Sequence, residues 1–414
     1  MIKFTSMALL MTAISTSLMA GGNASQETSA RLDGLGLNSF QTRDNYNIWA
    51  NPAFMTSYQS EATINVSGQD ITKVMAGGNV GTSVGAFGIY FGRKSNDNTV
   101  AMTDPVNGVG YNVLGANATP LVSVNQFDLF YAVGLGESMD LGFRFSHKGK
   151  EDSQTNTDDI LGDANIKRYT NEYEAELGFI FSSFDISLAI GLPNYYYEEE
   201  LTTGSTIKAE DDSAMFVTLQ GGYDIEFDVD SKLRINAIIG NASLDSKASN
   251  DTPTIADESR KESQFGILAG VTYERQLIER LRLFLSASLV YGSYSTELND
   301  NLDNTGKADL SVLLLPIVGA VEINVSKSWQ VRVGASVQNL QLYNNIQLEN
   351  ISPAGSQKSE IEVTQEMDVD LNFGLGYSPI KSASIDLAIR QGQLFGGSNV
   401  LDNLTSKITG TYRF

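Results

Sequence analysis

Apolar residues recur at every second position over stretches much longer than an ordinary strand, and few folds can accommodate that pattern. In residues 279–291, Leu281, Leu283, Leu285, Ala287, Leu289 and Tyr291 share one face, while Arg280, Arg282, Ser286 and Ser288 share the other. Residues 328–338 set Trp329, Val331, Val333, Ala335 and Val337 against Gln330, Arg332, Ser336 and Gln338. Residues 367–377 oppose Val369, Leu371, Phe373 and Leu375 to Asp368, Asp370 and Asn372, and 232–240 and 383–390 follow the same rule. Strands of globular proteins average about five or six residues. Alternation sustained over about nine or more suits a strand with lipid on one side and a wet lumen on the other.

The connections also alternate, in length. Short ones fall at 137–138, 182–183, 229–230, 277–278, 326–327 and 379–381. Long, acid-rich ones fall at 94–120, 148–168, 195–212, 243–262, 296–307 and 342–360. Short turns facing the periplasm and long loops facing outward are the arrangement of a membrane barrel. Strands running into the short turns carry an aromatic near their end (Tyr131, Phe181, Tyr223, Tyr273, Tyr377 and Tyr412), which predicts a girdle at the inner lipid interface. Thirteen strands are readable from Asn125 onward. Before them, 82–92 makes one more, and 63–78 is either one bent strand or a short hairpin. The expected fold class is all-β: a transmembrane antiparallel β-barrel of about fourteen to sixteen strands.

Both ends carry export features. Lys3 precedes a short apolar run from Met7 to Leu18, and Ala20-Gly21-Gly22 supplies small residues for cleavage. Residues 1–20 therefore read as a secretory signal peptide, the run being too short to span a bilayer. The chain has no cysteine, which excludes a lipoprotein anchor and a disulfide-stapled scaffold. At the other end, residues 406–414 place Ile408, Gly410, Tyr412 and Phe414 on one face. Tyr412 and Phe414 resemble the terminal signal recognised by the barrel-assembly machinery. The expected location is the outer membrane of a Gram-negative bacterium. The formal net charge of −21 argues against nucleic acid as a partner. The acids gather in 151–163, 198–212, 245–262 and 297–309, as solvated segments or as sites for divalent cations shared with lipopolysaccharide.

Residues 21–58 do not follow the strand pattern. They contain Asn47-Ile48-Trp49-Ala50-Asn51-Pro52-Ala53. Proline fixes its own φ and drives Asn51 from the helical region, and the Asn side chain can bond its own backbone, so Asn51, Pro52 and Ala53 form a rigid turn. That element, with Gly34 and Gly36 before it, resembles the outer-membrane long-chain fatty acid transporter (FadL-type) superfamily. Trp49 sets the chain nearer a divergent branch with loosely defined substrates. The resemblance implies an N-terminal plug over residues 21–58 inside an outer-membrane barrel over 59–414. It also implies passive uptake of hydrophobic or amphipathic small molecules such as fatty acids. The alternative to a plug is a plain loop entering the first strand.

Candidate chemistry is sparse. His147 is the only histidine, and with no cysteine there is no zinc-type ligand set and no paired nucleophile and base. Neither an enzyme, a metal nor a cofactor is expected. Arg144, Arg234, Arg282 and Arg332 each follow a short turn by a few residues and should lie at similar depth in the lumen. They read as a rung that binds an anionic head group or latches the plug, or as ion pairs satisfying a polar interior with Asp140, Asp185, Asp368, Asp370, Asp386, Glu174 and Glu176. In 313–322, parity turns Leu314, Pro316, Val318 and Ala320 inward if Leu315, Ile317, Val321 and Ile323 face lipid. Pro316 has no amide to donate, so it marks a bulge or gap and a candidate lateral exit. The alternative function is a plugged docking barrel whose exterior loops engage a surface or secretion partner.

Overall fold

The computed structural model describes residues 29–67, 73–92, 125–158, 162–201, 206–250, 258–300, 305–337, 340–352, 355–361, 369–391 and 404–414. The signal peptide read over 1–20, and 21–28 after it, lie outside them. Strands β1 (Glu61–Ser67), β2 (Lys73–Thr82), β3 (Gly85–Phe91) and β4 (Asn125–Gly134) come first. Five long strands and a sixth follow: β5 (Met139–Asp158), β6 (Gly162–Phe181), β7 (Phe184–Leu201), β8 (Thr206–Asp228), β9 (Ser231–Asn250) and β10 (Glu258–Ile278). The wall continues through β11 (Leu281–Asp300), β12 (Thr305–Leu314), β13 (Ile317–Asn324), β14 (Trp329–Val337) and β15 (Gln341–Ser352). It ends with β16 (Gly355–Ile361), β17 (Val369–Ile380), β18 (Ala383–Gln391) and β19 (Leu404–Arg413).

Each strand pairs antiparallel with its neighbours, and β19 returns to pair with β1 from Glu61↔Arg413 to Ser67↔Lys407. The sheet is therefore closed and has no edge. Three wall strands are each broken into two segments (β12 with β13, β14 with β15, β16 with β17), so nineteen segments make a sixteen-strand barrel. The stretch 63–78 resolves as a hairpin, with β1 and β2 in register from Glu61↔Asn79 to Ser67↔Lys73.

Parity along the strands sorts the two faces. Phe143, Leu177, Ile235, Ile239, Leu285, Leu289, Phe373 and Leu375 are large, apolar and exposed. The alternate positions bury Arg144, Glu174, Ser187, Thr218, Asn236, Ser286, Arg332 and Asn372. A chain in water alone would bury the first set; a barrel in lipid turns it outward. The predicted girdle is present: Tyr131, Phe181, Tyr223 and Tyr412 are exposed beside short turns. Trp329 joins it, with its ring 4.5 Å from that of Tyr377. Tyr412 and Phe414 stack at 6.5 Å beside the β1–β19 seam, where the Phe414 amide donates to the Ser60 carbonyl at 3.0 Å.

Two sequence readings require correction. Strands β10 and β17 run to Ile278 and Ile380, into the turns expected at 277–278 and 379–381. More importantly, much of the acid-rich sequence assigned to loops is strand. The reason lies in the register, which opposes Asp245 to Lys261, Lys261 to Glu297, Glu297 to Lys307, Lys307 to Glu349 and Glu349 to Lys358. Charges of alternating sign thus cross six adjacent segments, with Lys307–Glu297 at 2.9 Å and Lys358–Glu349 at 3.1 Å. Cross-strand opposite charges support pairing where no apolar face fixes it.

The chain before the wall folds locally. Ser29 caps α1 (Ala30–Leu35), its hydroxyl accepting from the Leu32 amide, and Gly36 ends the helix at φ 68. Two 3₁₀ turns follow, Asn45–Trp49 capped by Asp44 and Pro52–Thr56 capped by Asn51. These residues contact the strand face opposite the lipid-facing one.

Candidate functional site

The wall is shaped to receive this segment. A Cβ on Gly34 would meet the Gly374 Cα at 2.7 Å, so α1 touches the wall backbone to backbone. Gly142 and Gly178 face each other across β5 and β6, and there a Cβ would overlap Ala53 and Asn51 respectively. Over that floor Asn51 does three things. Its side-chain oxygen accepts from the Ala53 amide at 3.0 Å, and its side-chain nitrogen donates to the carbonyls of Phe179 at 3.0 Å and Ile186 at 3.1 Å. The Asn-Pro-Ala turn thereby caps itself and is tied to the wall. Next to it, Trp49 enters a nest of inward aromatics, with ring centres 5.0 Å from both Tyr90 and Phe130.

Charge adds three further ties. Arg31 of α1 reaches Glu322 at 2.9 Å, and Arg332 of the wall holds the same carboxylate at 2.8 Å and Asp386 at 2.6 Å. Arg43 meets Asp224 at 2.5 Å and Asp185 at 3.4 Å. Arg234 approaches those two acids at 3.2 and 2.8 Å and donates to the Phe40 carbonyl at 2.7 Å. Lys407 meets Asp33 at 3.1 Å. Within the segment, burial pushes the Asp44 carboxyl above its ordinary range, against the pull of Arg31 and the Ser29 hydroxyl.

All four arginines singled out from the sequence face the lumen, but not as an open cationic rung. Arg144 pairs with Glu174 and, at 3.0 Å, with Glu176. Arg282 meets Glu274 at 3.2 Å, and Arg234 and Arg332 sit in the ties above. Protein carboxylates hold the places expected for a ligand head group, and two of the four also hold the segment. Replacing Arg332 with Gln should destabilise the folded chain by about 3–5 kcal/mol, because Glu322 and Asp386 then share a buried site without their wall cation. A denaturant midpoint no lower than that of the parent chain would contradict this.

The inner wall mixes charged and apolar surface. Across β4–β8 it is charged and polar, with Asp128, Lys148, Glu172, Glu174, Glu176, Asp185 and Gln220 buried. Strands β9–β15 also bury charged groups, Arg234, Glu262, Glu274, Glu322 and Arg332, but set apolar patches among them. Ile238, Leu268, Val290, Leu310, Val312, Leu314 and Ile346 form one cluster with Phe40 of the segment. Phe284, Val318 and Ala320 form another with Leu32, Leu35 and Leu37. Parity had turned Leu314, Pro316, Val318 and Ala320 inward, and all four are buried. Pro316 separates β12 from β13. Its carbonyl accepts from Ser288 at 3.0 Å, and the Leu315 amide donates to Leu340 at 2.9 Å. The register against β11 is unchanged across the break, while the shift falls on the β14–β15 side.

His147 is the residue a histidine-dependent mechanism would need. It faces outward between Phe127 and Tyr173, at ring distances of 5.6 and 4.8 Å, as part of an aromatic cluster. The glycine floor and most of the apolar wall were not identified from the sequence. A usable signal was present in the doublets Ile238-Ile239, Ile267-Leu268 and Leu289-Val290, which break the alternation wherever both faces are apolar.

No family model and no curated protein matches the chain. Among solved structures it is similar to a FadL homologue of Pseudomonas aeruginosa, with a TM-score of 0.44 and 12% identity over 94% of this chain and 98% of that one. It is similar to a TodX deltaS2S3 mutant, a monoaromatic hydrocarbon channel, with a TM-score of 0.41 and 12% identity over 94% and 99%. The Pseudomonas putida toluene transporter TodX gives a TM-score of 0.38 and 13% identity over 96% of each chain.

Proposed function

We propose that this chain is an outer-membrane barrel of a Gram-negative bacterium that admits hydrophobic or amphipathic small molecules, such as fatty acids, down their gradient. Residues 29–58 act as its plug. The observation that carries this reading is the apolar stripe on the inner wall of β9–β15. A channel for polar solutes gains nothing from burying Ile238, Leu268, Val290, Leu310, Val312 and Leu314 on its inner wall, where they hold water poorly. An acyl chain or aromatic ring is matched by that stripe, and the polar β4–β8 side can solvate a head group. The stripe reaches the segment at Phe40, so a solute following it arrives at the plug.

The stripe can be altered without touching the plug's ties. The pair Leu310→Asn and Val312→Thr exchanges apolar for polar surface at similar volume. Entry of a fluorescent fatty acid into liposomes carrying the refolded chain is expected to slow about tenfold, the size of a contact loss near 1.4 kcal/mol. Exclusion of a small sugar should be unchanged. Equal fatty-acid entry in the variant and the parent would remove the stripe from the route. His147→Ala should alter neither readout.

A further inference from the structure

We infer that the outer wall carries a binding site for a neutral sugar ring, on the lipid side of β9–β15 and just beyond the apolar band. Successive outward rows of the register define it. The row Ile239, Ile267, Tyr291, Leu313 and Tyr343 is apolar and aromatic. The next two rows are Asn241, Phe265, Ser293, Ser311 and Asn345, then Ser243, Ser263, Ser295, Asp309 and Gln347. The row after those is the ladder of alternating charges from Asp245 to Lys358. A cavity of about 360 Å³ is lined by the whole of the second row and all of the third except Ser243. The remaining lining residues, Gln264, Tyr294 and Leu310, lie between these in sequence. The cavity therefore belongs to the outer surface and is bounded by the lipid band on one side and the charge ladder on the other.

Its chemistry is that of a saccharide site. Hydroxyls and carboxamides can donate to and accept from ring hydroxyls, and the Asp309 carboxylate can accept two of them. Phe265 offers an apolar ring face to the C–H face of a pyranose. None of the residues in these two rows is cationic, and Lys307 of the adjoining ladder is already held by Glu297 at 2.9 Å. The volume is within the roughly 300–1,000 Å³ of ligand sites. The height decides the source: the rows begin where the lipid-facing residues stop, at head-group level, so the ligand is the sugar head group of a membrane glycolipid.

The test uses the full refolded chain and native mass spectrometry. The probes are glucosyl diacylglycerol, phosphatidylglycerol with the same acyl chains, and free maltose. Glucosyl diacylglycerol is expected to be retained about tenfold better than phosphatidylglycerol, and the preference should vanish in Ser311→Trp, which fills the cavity. Asn345→Ala with Gln347→Ala only truncates side chains and carries the same readout if the tryptophan variant fails to fold, as shown by loss of heat-dependent gel mobility. Equal retention of both lipids, a preference unchanged in the variants, or binding of maltose without a lipid preference would overturn the assignment. None of these changes touches the lumen, so the uptake reading stands or falls separately.

Discussion

A Trp49→Ala chain is expected to lose about 3–5 kcal/mol from the docking of residues 29–58, while the barrel stays closed. Trp49 is 1% exposed and is the largest fully buried side chain of the described residues. Its partners Tyr90 and Phe130 belong to the wall, at centroid distances of 5.0 Å, and Met55, Met75 and Ala132 belong to the same cluster. Truncation leaves a cavity at the junction between segment and wall, not within the sheet. The barrel is closed by its own hydrogen-bonded ladder, so the lost energy bears on whether the segment is seated. At tenfold per 1.4 kcal/mol, the unseated fraction rises a hundredfold or more. Limited proteolysis within 29–58 and leakage of a small sugar from liposomes should both increase. An unchanged digestion rate would show that the aromatic nest does not hold the segment.

Gly142→Val should act in the same direction by steric overlap. The clash is with the backbone of Pro52 and Ala53, in a turn whose geometry proline and the Asn51 cap already fix. Flexible side chains can move aside, but this turn cannot, so the cost should exceed the roughly 1–3 kcal/mol of ordinary overpacking. Gly319→Ala is the control, since its nearest neighbour would be a Leu285 methyl at an ordinary 3.8 Å. The expected result is sugar leakage in Gly142→Val and none in Gly319→Ala, with both chains folded as judged by gel mobility. A sealed Gly142→Val barrel would place the turn elsewhere.

These two residues also show what the sequence could disclose. The wall was readable because lipid imposes a face on every second residue, as in Leu281 to Tyr291, and a strand-by-strand reading gives about fourteen to sixteen strands. The extensions beyond the lipid were not, because Asp245, Lys261 and Glu297 show no apolar period. Only the register reveals that their charges match. The Asn51-Pro52-Ala53 turn was legible as a turn, since its causes are local. Its footing on Gly142 and Gly178 was not, because nothing near a glycine in sequence tells which one lies beneath a distant turn. The arginines illustrate the same limit. Parity placed Arg234 and Arg332 in the lumen, and the register sets them opposite Asp224 and Glu322 of the preceding strands, but Asp185 and Asp386 come from 49 and 54 residues away, and Arg31 and Arg43 of the segment share acids with them.

The most direct test of a plugged barrel for hydrophobic solutes is paired flux into liposomes. Fluorescent fatty acid and a small sugar are compared in the refolded chain with and without residues 21–56. The account predicts fatty-acid entry without sugar leakage in the intact chain, and sugar leakage once the segment is removed. Sugar leakage through the intact chain would make this an open polar pore. Absence of both fluxes would instead favour a docking barrel that works through its exterior.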